Sequence, residues 1–316
     1  MSDAPLAPVV LGHNAFFGVN HLSHRRGAEQ AASLGRDESV IALVEAARRM
    51  GVRGLMLSTH PRAARLATAL RLRDDLSAEL LVYPLLPYAQ KYVLRANEMG
   101  MVRAALHTLR EASFRQRIGL GTDAIRLIVR RDATDLLRAL IRVELGVFHR
   151  LQVHVVFLHD ALADLLFALD LPDVYGVYAD CLRRQLGVEV GLATKNLPFA
   201  LDRFTRWGVP PPHLLTHVNR VGFQMNPHQA QCEQALASGE ISVMAMGSLA
   251  SGHLSPTQGL PYLKNFPAVK SVCIGTSTVA HLEEMVDLLT SMPESRTSPN
   301  RAHGRGRSAC QSSWAR

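Results

Sequence analysis

Cysteine is scarce in this sequence. The four that occur, Cys181, Cys232, Cys273 and Cys310, never form a CxxC pair, so their spacing indicates neither a zinc knuckle nor a disulfide framework. They read as small apolar residues, with Cys310 in the tail. Long apolar runs are missing as well. No stretch approaches the roughly 18 consecutive apolar residues of a membrane span, and residues 1–8 lack the basic-then-apolar order of a secretory signal. A soluble, cytoplasmic protein with no membrane partner is expected. There is no convincing linker to divide the chain, and no HxH or HExxH spacing to fix a metal among His13, His21 and His60. A formal net charge of +8 is the one compositional sign of a nucleic-acid partner. Much of that charge lies in helical segments such as 62–73 and in the tail after Pro293, so nucleic acid is not the expected partner.

What is present is alternation. With 316 residues and 47% hydrophobic content the chain is long enough for one large core. Short runs rich in Val, Ile and Leu occur at 9–11 (running into Phe17), 54–57, 80–84, 154–158, 188–192, 214–218, 241–245 and 271–274. Between them the apolar spacing predicts helices over 37–50, 62–72, 101–112, 134–145, 161–169, 197–207, 227–237 and 279–291. Gly51 and Gly208, each followed by Val, read as helix stops. The stretch 114–131 is longer than one crossover needs and leaves room for an extra helix at the rim. Eight strands joined by helices predict an α/β fold, a single (β/α)8 TIM barrel over 1–293. Residues 294–316 have almost no apolar periodicity and are expected to be a disordered basic tail.

In such a barrel the chemistry sits at the carboxyl ends of the strands. The first strand is followed by His13, Asn14, His21 and His24, the second by Ser58, Thr59 and His60, and the fourth by His159 and Asp160. Thr194, Lys195 and Asn196 follow the fifth, Asn219 and Arg220 the sixth, and Ser248 and Ser251 the seventh. Imidazole titrates near neutrality and serves as acid, base or metal ligand. A single loop histidine is more often a bystander, but His60 and His159 stand out because each directly follows a buried strand. The last strand ends in Gly275-Thr276-Ser277-Thr278 and opens a helix. Its unpaired amides favour an anion such as phosphate, although Ser277 or Thr278 would cap that helix in any protein. The small, polar stretch of Ser248, Leu249 and Ser251 also lets a ligand approach the backbone closely.

These residues carry a resemblance. The segment Val243-Met244-Ala245-Met246-Gly247-Ser248-Leu249 with Gly252 and Leu254 is similar to the Ala-Tyr-Ser-Pro-Leu-x-x-Gly-x-Leu of the aldo-keto reductases, and the segment from Ile274 to Glu284 is similar to that family's closing cofactor-phosphate segment. Phe157-Leu158-His159-Asp160, Gly191-Leu192-Ala193-Thr194-Lys195-Asn196 and Val218-Asn219-Arg220-Val221 resemble its fourth, fifth and sixth strand ends, and the chain from Leu11 to Gly18 its first strand. The resemblance covers roughly residues 9–291. It implies an NADP-dependent oxidoreductase acting on a small carbonyl or hydroxy compound, with Thr194, Asn219, Arg220, Ser248, Leu249, Ser251, Gly275, Thr276 and Ser277 toward the cofactor.

Departures from the family are as informative. Of its Asp, Tyr, Lys and His tetrad only His159 carries over: Met56 stands at the aspartate, His60 or Pro61 near the tyrosine, and no lysine ends the third strand. Ala193 and Thr194 replace the pair that holds the nicotinamide amide, Arg220 replaces a glutamine, and Met246 the ring-stacking aromatic. Three readings stay open. An oxidoreductase would use His60 or Tyr88 as the proton donor, with His159 orienting the carbonyl. A non-redox lyase, isomerase or hydrolase would use His60 and His159 as its acid–base pair, with Arg220 or Lys195 holding a small anionic substrate. A non-catalytic barrel would keep only the fold. The first is favoured, because two phosphate-site segments survive together.

Overall fold

The computed structural model describes residues 4–18, 34–87 and 133–291. The eight expected runs are eight parallel strands: β1 Val9–Leu11, β2 Gly54–Ser58, β3 Leu81–Leu86, β4 Val155–Leu158, β5 Glu189–Thr194, β6 His213–His217, β7 Val243–Met246 and β8 Val269–Ile274. A two-residue ladder, Gln152–Val153, leads into β4 and pairs with β3. Each strand pairs with its neighbours in sequence, and β8 closes on β1 with Val9 opposite Val272 and Leu11 opposite Ile274. The sheet is therefore a closed ring, the single (β/α)8 barrel that the alternation predicts.

Helices α1 Asp37–Arg49, α2 Pro61–Arg71, α3 Ala133–Leu145, α4 Asp160–Ala168, α5 Pro172–Asp180, α6 Leu197–Trp207, α7 Gln229–Leu236 and α8 Val279–Thr290 surround it. Gly51 and Gly208 follow α1 and α6 with φ of 83° and 66°, the left-handed turn that releases a chain from a helix at little steric cost. The apolar spacing assigns no helix to 170–187, yet α5 lies there and continues into π-helical turns over Cys181–Leu186. Pro172 and Gly176 read as loop punctuation in the sequence; the buried rings of Tyr175 and Tyr178 hold the segment helical instead. The expected helix at 101–112, the 114–131 stretch and the 294–316 tail lie outside the described residues.

Side-chain alternation along the strands divides the core in two. Val10, Met56, Tyr83, Phe157, Leu215 and Met244 fill the lumen, while Leu11, Leu55, Val82, Val156, Leu214 and Val243 face the helices. The lumen floor is closed by residues before β1: the Tyr83 hydroxyl accepts the Ala7 N–H at 2.8 Å, and Ser271 Oγ donates to the Ala7 carbonyl at 2.6 Å. A filled lumen leaves only the strand ends open to solutes.

Gly191 is required by this packing. It lies opposite Phe157 in the β4–β5 ladder, and a Cβ there would sit 2.4 Å from the Phe157 ring. Gly191→Ala is predicted to lower the unfolding free energy by about 1–3 kcal/mol. It should appear as a fall in the urea midpoint at unchanged slope, and an unmoved midpoint would show the lumen to be slack.

Candidate active site

A cavity of about 1030 Å³ opens at the carboxyl ends of the strands. His13, Ser58, His159, Asp160, Lys195, His217 and Ser248 bring polar groups to its wall, and Met56, Leu215, Met246 and Cys273 rise from the lumen as its apolar floor. The loop between β7 and β8 makes one side. There Gly247 takes a φ of 64°, and its missing Cβ leaves space for His217, whose Nδ1 would otherwise be 2.4 Å away.

His159 ends β4 and begins α4. Its Nδ1 lies 2.6 Å from Asp160 Oδ1, and Lys195 Nζ, arriving from β5, lies 3.3 Å from Asp160 Oδ2. A lone pair and a carboxylate would repel at that distance, so Nδ1 carries the proton and donates it to Asp160. The Ala161 N–H, 3.3 Å from Nδ1, is satisfied by Asp160 Oδ1 at 2.9 Å. This tautomer leaves Nε2 as the nitrogen available to the cavity. Burial pushes the Asp160 carboxyl up, but the hydrogen bond and charge of His159, joined by Lys195, outweigh it and hold the group well below the usual carboxylate range.

The β5 end is fixed from beneath by Asp164, one turn after Asp160 on α4. Thr194 Oγ1 donates to Asp164 Oδ1 at 2.5 Å, and the Lys195 N–H to Oδ2 at 3.2 Å. Thr194 is thereby fully buried, holds the turn that presents Lys195, and does not line the cavity. Asn219 is similarly committed: its amide donates to the Phe223 carbonyl and accepts the Phe223 N–H, both at 2.8 Å. Arg220 is exposed on the turn that follows and is also off the cavity wall.

His60, expected at the site because it directly follows a buried strand, does not line the cavity among the described residues. Its Nδ1 accepts the Arg62 N–H at 3.1 Å and caps α2, and its ring stacks on Phe17 at 4.3 Å between centroids. Phe17, not His60, lines the cavity. Burial, then the charges of Arg62 and Arg65, lower the His60 pKa. Tyr88, with His21 and His24, lies outside the described residues. Of the strand-end residues singled out in the sequence, His159 and the Gly275 turn line this one cavity, and His60 and Arg220 do not.

The opposite wall is the Gly275, Thr276 and Ser277 turn, with Ser248, Leu249 and Ser251 beside it. The backbone N–H groups of Ser248, Leu249, Gly275, Thr276 and Ser277 make no hydrogen bond among the described residues. Thr278 Oγ1 accepts the His281 N–H at 3.4 Å as the α8 cap, so capping falls to Thr278 and leaves Ser277 uncommitted. Ser248 Oγ is buried without a partner, as are Ser58 Oγ and His13 Nδ1. Three unpaired buried polar atoms on residues lining one cavity are costly unless a ligand or water meets them. His13 and Ser58 are visible in the sequence only as strand-following polar residues. Their significance depends on partners they lack, which spacing does not reveal.

His13 gives the site a pH signature. Burial, then the charge of His159, lowers its pKa to about 4 from 6.5. The unfolded chain therefore binds a proton that the folded chain refuses between those values, and stability falls as pH drops from 6.5 toward 4. The full effect is about 3 kcal/mol. His13→Gln should flatten the stability–pH curve in that window, measured as urea midpoints; an unchanged slope would place His13 in contact with solvent.

No protein-family model matches the chain, and no curated protein does. Solved structures match it. A Pseudomonas aeruginosa protein provisionally assigned as an aldo-keto reductase superposes with a TM-score of 0.58 at 16% identity, over 90% of each chain. An aldo-keto reductase from a Medee basin deep-sea metagenome library gives 0.54 at 12% identity, over 90% of this chain and 86% of its own. A thermostable aldo-keto reductase solved with the inhibitor epalrestat gives 0.54 at 12% identity, over 94% of each. At these identities the likeness is one of architecture, and it spans nine-tenths of the sequence: this chain has the fold of the aldo-keto reductases.

Proposed function

We propose that this barrel is an oxidoreductase that binds a nicotinamide dinucleotide and acts on a small carbonyl or hydroxy compound. The observation that carries the reading is a division of labour across one cavity: an oriented imidazole on the β4 side, unpaired backbone amides and a buried unpaired hydroxyl on the β8 side. The second set fits a diphosphate, because amide donors at a helix start suit an anion and Ser248 Oγ awaits a partner. The dinucleotide, when bound, supplies or accepts the hydride. The rest of the chemistry belongs to this chain. In reduction the His159 imidazolium gives its Nε2 proton to the carbonyl oxygen and is left as the neutral Nδ1–H tautomer; in oxidation the neutral Nε2 takes the hydroxyl proton and the imidazolium forms. Asp160 fixes the tautomer and stabilises the imidazolium. Lys195 supports negative charge that develops on the oxygen. His159 takes over as proton donor because His60 is held behind Phe17. The substrate is a small molecule, carbonyl-containing or anionic. The free thiols of Cys181, Cys232 and Cys273 suit a cytoplasmic enzyme.

One observation favours a second reading. The groups expected to hold the nicotinamide ring are spent: Thr194 binds Asp164, Asn219 binds Phe223, and Met246 offers no aromatic face. The same His159–Asp160 pair would then serve a lyase, isomerase or hydrolase. Titration with reduced nicotinamide cofactors separates the two. A rise in melting temperature or energy transfer to the cofactor is expected, and no response at millimolar concentration would leave only the non-redox reading. In either case His159→Gln should lose at least about a hundredfold in kcat/KM. Its affinity for the cofactor should stay within a few-fold, since the imidazole faces the substrate and not the phosphates.

A further inference from the structure

Resting on the dinucleotide reading, we infer that the cavity is built for NAD, not for the NADP that the family resemblance implies. In the ring of eight strands β4 and β8 lie diametrically opposite. A dinucleotide with its reactive ring beside His159 and its diphosphate over the unpaired amides of Ser248, Leu249 and Gly275–Ser277 has spent that span. Its adenosine ribose then lies beyond the turn, against the first turns of α8. The wall there is His281, Glu284 and Met285.

That wall has the wrong charge for a 2′-phosphate. Such a group brings nearly two negative charges and is held by Arg or Lys. No Arg or Lys occurs between Ile274 and Met285. Among the described residues lining the cavity Lys195 is the sole lysine or arginine; it lies across the mouth and is engaged by Asp160. Glu284 instead places a carboxylate on the wall, with its Oε2 3.6 Å from His281 Nε2. A carboxylate accepts hydrogen bonds from a ribose diol and repels a phosphate in its place, the chemistry by which Rossmann-type sites select the unphosphorylated cofactor. The position is half-exposed, with 46% of the side chain open to solvent, so its replacement spares the core.

The test is equilibrium binding of NADH and NADPH to the full chain, by calorimetry or cofactor fluorescence, alongside Glu284→Gln and Glu284→Arg. NADH is expected to bind about two- to fivefold more tightly, the factor worth about one part-exposed charge interaction. Glu284→Gln should narrow the gap and Glu284→Arg reverse it, with melting temperatures unchanged. Equal or tighter binding of NADPH by the unaltered chain overturns the inference and leaves the oxidoreductase reading intact. Binding of neither overturns both. ADP-ribose and its 2′-phosphate should show the same preference, which ties the discrimination to the adenosine end and not to the ring.

Discussion

A parallel sheet closes into a barrel only when its lumen is packed, and everything functional here follows from that requirement. Tyr83, Phe157, Leu215 and Met244 fill the interior, and Gly191 gives up its side chain to the Phe157 ring. Polar groups placed after the strands are then obliged to share one opening. His159 and the Gly275 turn face each other because β4 and β8 are opposite members of the ring, not because any local sequence directs them together.

Within that opening one carboxylate organises the β4 side. Asp160 accepts a hydrogen bond from Nδ1–H of His159 and pairs with the ammonium of Lys195, while Asp164 one turn on secures the backbone that delivers Lys195. The family tetrad places its aspartate and lysine on the second and third strands. Here Met56 and Leu85 occupy the cavity wall on those strands, and a carboxylate and an ammonium stand after the fourth and fifth, beside His159.

Much of this was legible in the sequence. Short apolar runs located every strand to within a few residues, since burial on both faces of a parallel sheet demands unbroken apolar stretches. The helix at 172–180 was not, because Pro172 and Gly176 are turn residues by propensity and only the buried rings of Tyr175 and Tyr178 make the segment helical. At the site, strand-end position alone cannot tell which way a side chain turns. His159 and His60 have the same local context, yet one nitrogen donates to a neighbouring carboxylate and the other accepts a backbone amide. Thr194 and Asn219 stand where cofactor contacts belong in the family, and both are consumed by partners from elsewhere in the chain. Such tertiary commitments leave no trace in spacing.

The ring is sealed by its two ends, with Val9 against Val272 and Ala7 bonded to both Tyr83 and Ser271. Contacts of that sequence separation are the slowest to form. During synthesis β1 must therefore wait, unpaired on one edge, until β8 has left the ribosome. Closure of the barrel is committed late, and β8 is the strand that decides it.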